Sequence, residues 1–387
     1  GERTLWQVAE TPTTGLSPHA ASSRVLAPLW RRPARGLRSR GWRAGGPRVG
    51  ISRSRYRPAT RHGTSRGGMA ARRSLFSLLS KAAQAAPGQL ALVSPFQPGP
   101  LEALTFAQLR SAAGALSGFL RERGLGRRPG EVLVSDLPNT AENVLLQLAC
   151  SRLGVAYGTA KDAAGLAALA KAGRAVRGVA AATQDSWLLS AAPAGLDPLL
   201  GTEMAEMLRE AVEAGDNTFV DEGADGPAAG GGAAEDLPHA YFGSTRPLMA
   251  SALVDCGEAA AAKLGLGPAD AVCVGITLCH QFGIGSGVGA ALASGAKLVL
   301  PAVGGIRGCG VPSERAEATL QVLRDHQVTC LFADTHVVNE LRRVLPPEVP
   351  SRLALRKGVV KTGSGADFLD ERAALAGASL WTMGKAP

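Results

Sequence analysis

Residues 105–157 read TFAQLRSAAGALSGFLRERGLGRRPGEVLVSDLPNTAENVLLQLACSRLGVAY, and this stretch decides the fold class. Thr105 and Gln108 have capping-box spacing, and Phe106, Leu109, Ala113, Leu116 and Leu120 keep one apolar face. That spacing predicts a helix over Thr105–Arg123. Arg121 and Arg123 suit the negative C-terminal end of such a helix, and Gly124 closes it. Glu131–Ser135 reads as a strand, Ala141–Leu153 as a helix capped by Asn139 or Thr140, and Val155–Tyr157 as the start of the next strand. Strand–helix–strand with links this short argues a parallel sheet flanked by helices.

The pattern extends outward in both directions. Gln89–Pro95 is a short strand upstream, and Val176–Ala181 (strand) and Gly201–Ala214 (helix) follow downstream. Glu222–Glu235 is rich in Gly, Ala and Asp and has the composition of a linker. A second run follows, with helices over Leu248–Leu264, Phe282–Ser294, Ser313–His326 and Thr335–Val344. Its strands are Ala271–Thr277, Lys297–Leu300, Thr329–Phe332 and Val359–Thr362. The expectation is an α/β chain with two lobes of parallel-rich sheet flanked by helices, residues 89–221 and 237–387, joined by a linker at 222–236.

Charge is distributed unevenly. The chain carries a net +10, but residues 1–68 hold 14 Arg, no Lys and 2 Glu. The remainder has 28 basic and 30 acidic residues, so the body carries no electrostatic footprint for nucleic acid. The leader 1–68 has no Met and little apolar periodicity, and is expected to be untranslated or disordered. From Met69 to Leu101 there is no acidic residue. Arg72, Arg73 and Lys81 can share the polar side of a helix bearing Leu75, Phe76, Leu78 and Leu79. Residues 69–88 therefore read as a mitochondrial targeting segment, with a mature start expected between Ser80 and Leu90. The protein would then reside in the matrix or on the matrix side of the inner membrane.

Six cysteines (Cys150, Cys256, Cys273, Cys279, Cys309 and Cys330) contain no CxxC pair, which fits buried thiols in a reducing compartment. Cys279 and His280 have no second cluster to complete a metal site, so no metal is expected. Ala271–Ala296 lacks charged residues, but its six glycines and its polar trio His280, Gln281 and Ser286 make a poor membrane span. No transmembrane segment is expected. Gly283, Gly285, Gly287 and Gly289 could be read as a dinucleotide fingerprint, yet no acid follows within ~20 residues at a strand end. Small residues for close helix–sheet packing are the simpler account. No Gly-Lys-Ser/Thr sequence offers a P-loop, and residues 69–387 hold no Gly-x-Ser-x-Gly elbow that would support a hydrolase.

Several segments together resemble the N-terminal domain of the adenylate-forming superfamily, which includes acyl-CoA synthetases and AMP-binding ligases. They are Thr105–Leu109, Leu137-Pro138-Asn139, Leu148–Cys150 with Leu153–Tyr157, Cys279–Gly283 running on to Leu292–Ala296, Ser313–Ala316, and Val328-Thr329 with Leu331–Ala333. Such chemistry joins a carboxylate to the α-phosphate of ATP. It needs a glycine-rich loop for pyrophosphate, a lysine beside it and an acid for magnesium. Gly243, Ser244, Thr245 and Pro247 can be laid on the family's Gly-Thr-Thr-Gly-x-Pro-Lys loop, but Arg246 stands near the second glycine and Leu248 at the lysine. Lys361-Thr362-Gly363-Ser364-Gly365-Ala366 resembles the Ser-Gly-Gly-Ala turn on the adenine side. After Trp381 the sequence reads Thr382-Met383-Gly384-Lys385-Ala386-Pro387, with no Thr-Glu pair. His280 matches a histidine near the acyl pocket.

The resemblance thus implies a nucleotide site vestigial at Gly243, Ser244, Thr245, Thr362, Gly363, Ser364, Gly365 and Ala366. No catalytic residue is assigned, and no cofactor is expected beyond a vestigial ATP or AMP site. The expected role is a non-catalytic accessory subunit held by other subunits of a mitochondrial assembly such as a respiratory-chain complex. The alternatives are a truncated record of an active acyl-CoA synthetase, or an acyl- or adenosine-binding module. Val359–Val360 and Leu380–Trp381 are expected to form an uncovered strand edge that docks on a partner.

Overall fold

The computed structural model describes residues 73–97, 99–213, 236–301, 310–345, 352–365 and 367–385. The leader 1–68, the segment Met69–Arg72, most of the linker, Cys309 and Ala366 lie outside the described residues. The first half runs α1 (Leu75–Ala85), β1 (Leu90–Val93), β2 (Ala103–Thr105), α2 (Phe106–Glu122), β3 (Glu131–Ser135), α3 (Ala141–Leu153), β4 (Ala156–Thr159), α4 (Ala163–Lys171), β5 (Ala175–Ala181), α5 (Trp187–Ala191), β6 (Leu199–Leu200) and α6 (Gly201–Glu213). The second half runs β7 (Pro238–Phe242), β8 (Leu248–Met249), α7 (Ala250–Leu264), β9 (Ala271–Val274), a wide π-type helical segment (Gln281–Val288), α8 (Gly289–Ser294), β10 (Lys297–Val299), α9 (Pro312–Asp325), β11 (Cys330–Asp334), α10 (Thr335–Val344), β12 (Lys357–Lys361), β13 (Asp367–Leu375) and β14 (Ala378–Gly384).

Two mixed, mostly parallel sheets result. Six strands lie in the order β6-β5-β3-β4-β7-β8, and eight in the order β13-β14-β12-β11-β9-β10-β1-β2. Period-two alternation in the strands sorts side chains onto opposite faces. Val272 and Val274 of β9 face a central core that also takes Leu133, Tyr157 and Ala240 of the smaller sheet. Ala271 and Cys273 face an outer cluster with Val337, Val338 and Leu341 of α10. Val132 and Val134 face a second outer cluster with Leu166, Leu169 and Leu188. The central core is filled by α1, α2, α3, α7 and the 281–294 helical segment, so both sheets share one layer of helices.

The start of α2 is as expected. Thr105 Oγ1 accepts from Gln108 N at 3.2 Å, and Gln108 Oε1 accepts from Thr105 N at 2.9 Å. Other features differ. The sheets do not divide at residues 222–236: β1 and β2 precede that stretch and join the larger sheet, while β7 and β8 follow it and extend the smaller one. Parallel pairing depends on crossovers rather than chain order, so a composition break does not mark a sheet boundary. Leu248 lies in a short strand and not at the start of α7.

The segment expected to be cleaved is part of the core. A Ser74/Ser77 capping box starts α1, whose Leu75 and Leu79 are both 0% exposed. Arg73 pairs with Asp255 at 2.8 Å and Glu258 at 2.7 Å on α7. A mature start between Ser80 and Leu90 would remove these groups from the core. The expected uncovered edge is likewise absent among the described residues. Val359 packs into the central core and Leu380 into the outer cluster, both 0% exposed, and the edge of β12 is paired by β14 and that of β14 by the antiparallel β13. The outer strand β13 presents Asp367, Asp370, Glu371 and Arg372, and Arg342 donates to Ala374 O through Nε and Nη2 at 3.2 and 2.8 Å. A charged, partly capped edge discourages strand addition.

Leu79→Ala should lower unfolding stability by about 2–5 kcal/mol in urea titration, the range for a buried leucine. A loss within error would mean that α1 is peripheral. Asp270 joins the starts of three strands. Its carboxylate accepts from Arg356 Nη2 at 2.7 Å, Lys357 Nζ at 2.9 Å and Thr329 Oγ1 at 2.7 Å. Burial raises its pKa, but the hydrogen bonds from Lys357, Thr329 and the Gly267 N–H outweigh that and hold it below the ordinary carboxylate value. This stabilisation is present above the unfolded-state pKa and is lost as pH falls through the folded one. Asp270→Asn should cost about 1.5–3 kcal/mol at pH 7 and flatten the acid limb of the stability profile. An unchanged acid limb would show that the cluster does not govern it.

Candidate functional site

The Gly243–Thr245 loop leaves the C-terminal end of β7, which runs parallel to β4. Gly243 N donates to Thr159 O at 3.1 Å, tying the loop to the neighbouring strand end. Gly243 has φ +58°, in the left-handed region that glycine adopts without strain. Ser244 Oγ accepts from Arg246 N at 3.1 Å, and Gly243, Ser244, Thr245 and Arg246 are all exposed. Leu248 pairs with Ala240 across the β7–β8 hairpin and packs against the central core. The position that would need an ammonium is thus an apolar strand residue.

Thr362, Gly363, Ser364 and Gly365 sit on the other sheet, at the C-terminal end of β12. Thr362 N and Oγ1 both donate to Met383 O, at 2.9 and 3.3 Å. Lys361 is 7% exposed and its Nζ donates to Gly365 O. Gly365 has φ +90°, and a Cβ there would stand 2.5 Å from Gly384 O. The turn is therefore folded onto the end of β14, with Gly363 and Ser364 left exposed at its tip. Burial pushes the Lys361 ammonium below the usual lysine value, with Asp367 pulling it partly back.

His280 caps the wide helical segment, its Nδ1 accepting from Phe282 N at 3.0 Å. Burial, then the positive charge of Lys361, lowers its pKa. The structure therefore brings His280 and the 362–365 turn to one end of the larger sheet. Its link to the other sheet runs through Leu278: Asn139 Oδ1 accepts from Leu278 N at 2.9 Å, and Gln147 Nε2 donates to Leu278 O at 3.3 Å. Both side chains belong to the segment following β3, so each polar backbone group of Leu278 is held from the smaller sheet.

The glycine run is closed by the protein itself. A Cβ on Gly283 would meet Thr277 O at 2.0 Å, one on Gly285 Leu253 Cδ1 at 2.9 Å, and one on Gly287 Val274 Cγ2 at 2.9 Å. A Cβ on Gly289 would meet Gly257 Cα at 3.2 Å. These glycines permit close packing and leave no cradle for a pyrophosphate. Among the described residues no group of three His, Cys, Asp or Glu could hold a metal ion, and no helix is long and apolar enough to cross a membrane.

Sequence reasoning missed the buried pair Arg315–Asp334. Arg315 Nη1 donates to Asp334 Oδ2 at 2.9 Å and reaches Gly275 O at 3.4 Å. Asp334 also caps α10, accepting from Val337 N at 2.9 Å. An acid between a strand and a helix signals such a cap. The available signal for Arg315 was its place one turn before Thr319 on the inward face of α9.

Residues 79–221 match the AMP-binding enzyme family. No curated protein matches the chain. The N-terminal domain of FACL13 from Mycobacterium tuberculosis superposes with a TM-score of 0.56 at 17% identity, covering 75% of this chain and 70% of that one. A fatty acyl CoA synthetase from the same organism gives 0.55 at 16% identity over 76% of this chain and 56% of its own. MbtA from Mycobacterium smegmatis gives 0.55 at 23% identity over 75% and 52%. The fold is that of the N-terminal domains of adenylate-forming acyl-CoA synthetases.

Because burial disfavours the charged form of Lys361, stability should rise with pH from its lowered folded value towards the usual lysine value near 10.4. Lys361→Met should be as stable as wild type at pH 7, or more so, and should lose that alkaline rise. A clear destabilisation at pH 7 would show that the bond to Gly365 O outweighs the burial cost.

Proposed function

We propose that this chain, an acyl-CoA-synthetase-like protein matching AMP-binding enzymes over residues 79–221, is a non-catalytic member of that superfamily. Leu248 carries the reading. An adenylating loop needs a cation beside the pyrophosphate, and here a half-buried leucine of β8 packs against the core. Arg246 is exposed on the loop, but a planar guanidinium does not reproduce a compact ammonium.

Retention of both sheets without that charge supports a structural role as an accessory subunit of a mitochondrial assembly such as a respiratory-chain complex. The basic, acid-free stretch from Met69 to Lys81 supports import. A second reading is an acyl- or adenosine-binding module, favoured by the convergence of His280 with the Thr362–Gly365 turn.

Purified protein should give no ATP–pyrophosphate exchange with fatty, short-chain or aryl acids. Loss of one positioned electrostatic donor costs ~10²–10³ in rate. Exchange above background with any acid would overturn the non-catalytic reading. Migration with a large complex in native gels of mitochondrial extracts would support the subunit role, and a free monomer would refute it.

A further inference from the structure

α1 has the make-up of a helix that other proteins capture by its apolar side. Leu75, Phe76, Leu78, Leu79, Ala82 and Ala83 recur at helical spacing, while Arg73 and Lys81 stay exposed. A groove that takes such a helix binds the apolar face and leaves the charged face at its rim. The same face gives a targeting segment its amphipathic character.

In the folded chain that face is already taken. Leu75 and Leu79 are 0% exposed, Phe76 3% and Leu78 7%. The groove that holds them is made by α2, α3, α7 and α8. Phe76 N donates to Ser151 Oγ on α3 at 3.2 Å, and the Arg152 guanidinium lies 5.1 Å from the centre of the Phe76 ring. The charged end is held too, by the pairs that Arg73 makes with Asp255 and Glu258 of α7.

One apolar face cannot fill two grooves at once. Moving a buried leucine or phenylalanine into water shifts a population by roughly tenfold or more, so freeing four of them leaves an undocked fraction on the order of 10⁻⁴ or lower. A receptor's apparent affinity falls in proportion to that fraction. An unfolded or newly made chain has no such barrier, because the other four helices have not yet formed the groove.

We propose that α1 is an import signal masked by the fold: a receptor for amphipathic helices captures the unfolded chain and not the folded one. Import is then decided before folding, and a chain that folds first stays outside the organelle. The inference rests on the import reading above. It adds that the same 11 residues serve transport first and the core afterwards.

The described residues all lie from Arg73 onward and belong to one compact unit, so the test uses the chain started at Met69. Binding to the surface of de-energised mitochondria is measured, because capture there needs no passage through a membrane. Three samples are compared: the folded chain, the chain freshly diluted from urea, and a folded fusion carrying a second copy of residues 69–88 ahead of Met69. The urea-diluted chain and the fusion should bind and be displaced by excess synthetic 69–88 peptide. The folded chain should bind more weakly by roughly tenfold or more. Equal binding by the folded chain overturns the masking and leaves the import reading standing. Absence of displaceable binding by either of the other two samples removes the import reading from residues 69–88, and the masking with it.

Discussion

One layer of helices covers the inner faces of both sheets, and within it two elements pass each other at backbone contact. α7 and the 281–294 segment do so. A Cβ on Gly257 would stand 2.6 Å from Gly289 C, and the glycines at 283, 285 and 287 are closed by Thr277, Leu253 and Val274. Interiors at crystal-like density transmit any added volume, so the glycine run, the wide turn and the position of His280 are one constraint. α1 completes the layer against α2, α3, α7 and α8, which is why a segment with targeting composition is also a core helix.

Legibility in the sequence followed the range of the forces involved. The α2 capping box, the strand at Glu131–Ser135 and the helices at Ala141–Leu153 and Thr335–Val344 depend on neighbours within a few residues, and they stand where periodicity puts them. The partition of strands between sheets depends on pairing over long sequence separations. Leu92 opposite Leu298 and Tyr157 opposite Ala240 have no local signal. The β13–β14 hairpin was missed for a related reason: its outer strand is charged, so it lacks the apolar alternation of a half-buried strand.

The candidate site divides along the same line. The loop at Gly243–Thr245 and the turn at Thr362–Gly365 are contiguous motifs, and both occupy C-terminal strand ends, where open α/β sheets carry their chemistry. Arg315 with Asp334, and the clamp of Asn139 and Gln147 on Leu278, join distant segments and carry no sequence pattern. On the proposed reading, selection for adenylation would require a cation at position 248, whereas selection for the fold requires only an apolar residue pairing with Ala240. The chain has the second.

A calorimetric titration of the folded protein with magnesium–ATP tests this account most directly, because it asks whether the loop holds phosphate irrespective of any acid substrate. A phosphate site lacking its ammonium predicts no saturable heat up to about 1 mM, a free-energy ceiling near −4 kcal/mol. Saturable one-to-one binding in the micromolar range would contradict it and return the protein to the nucleotide-using members of its fold.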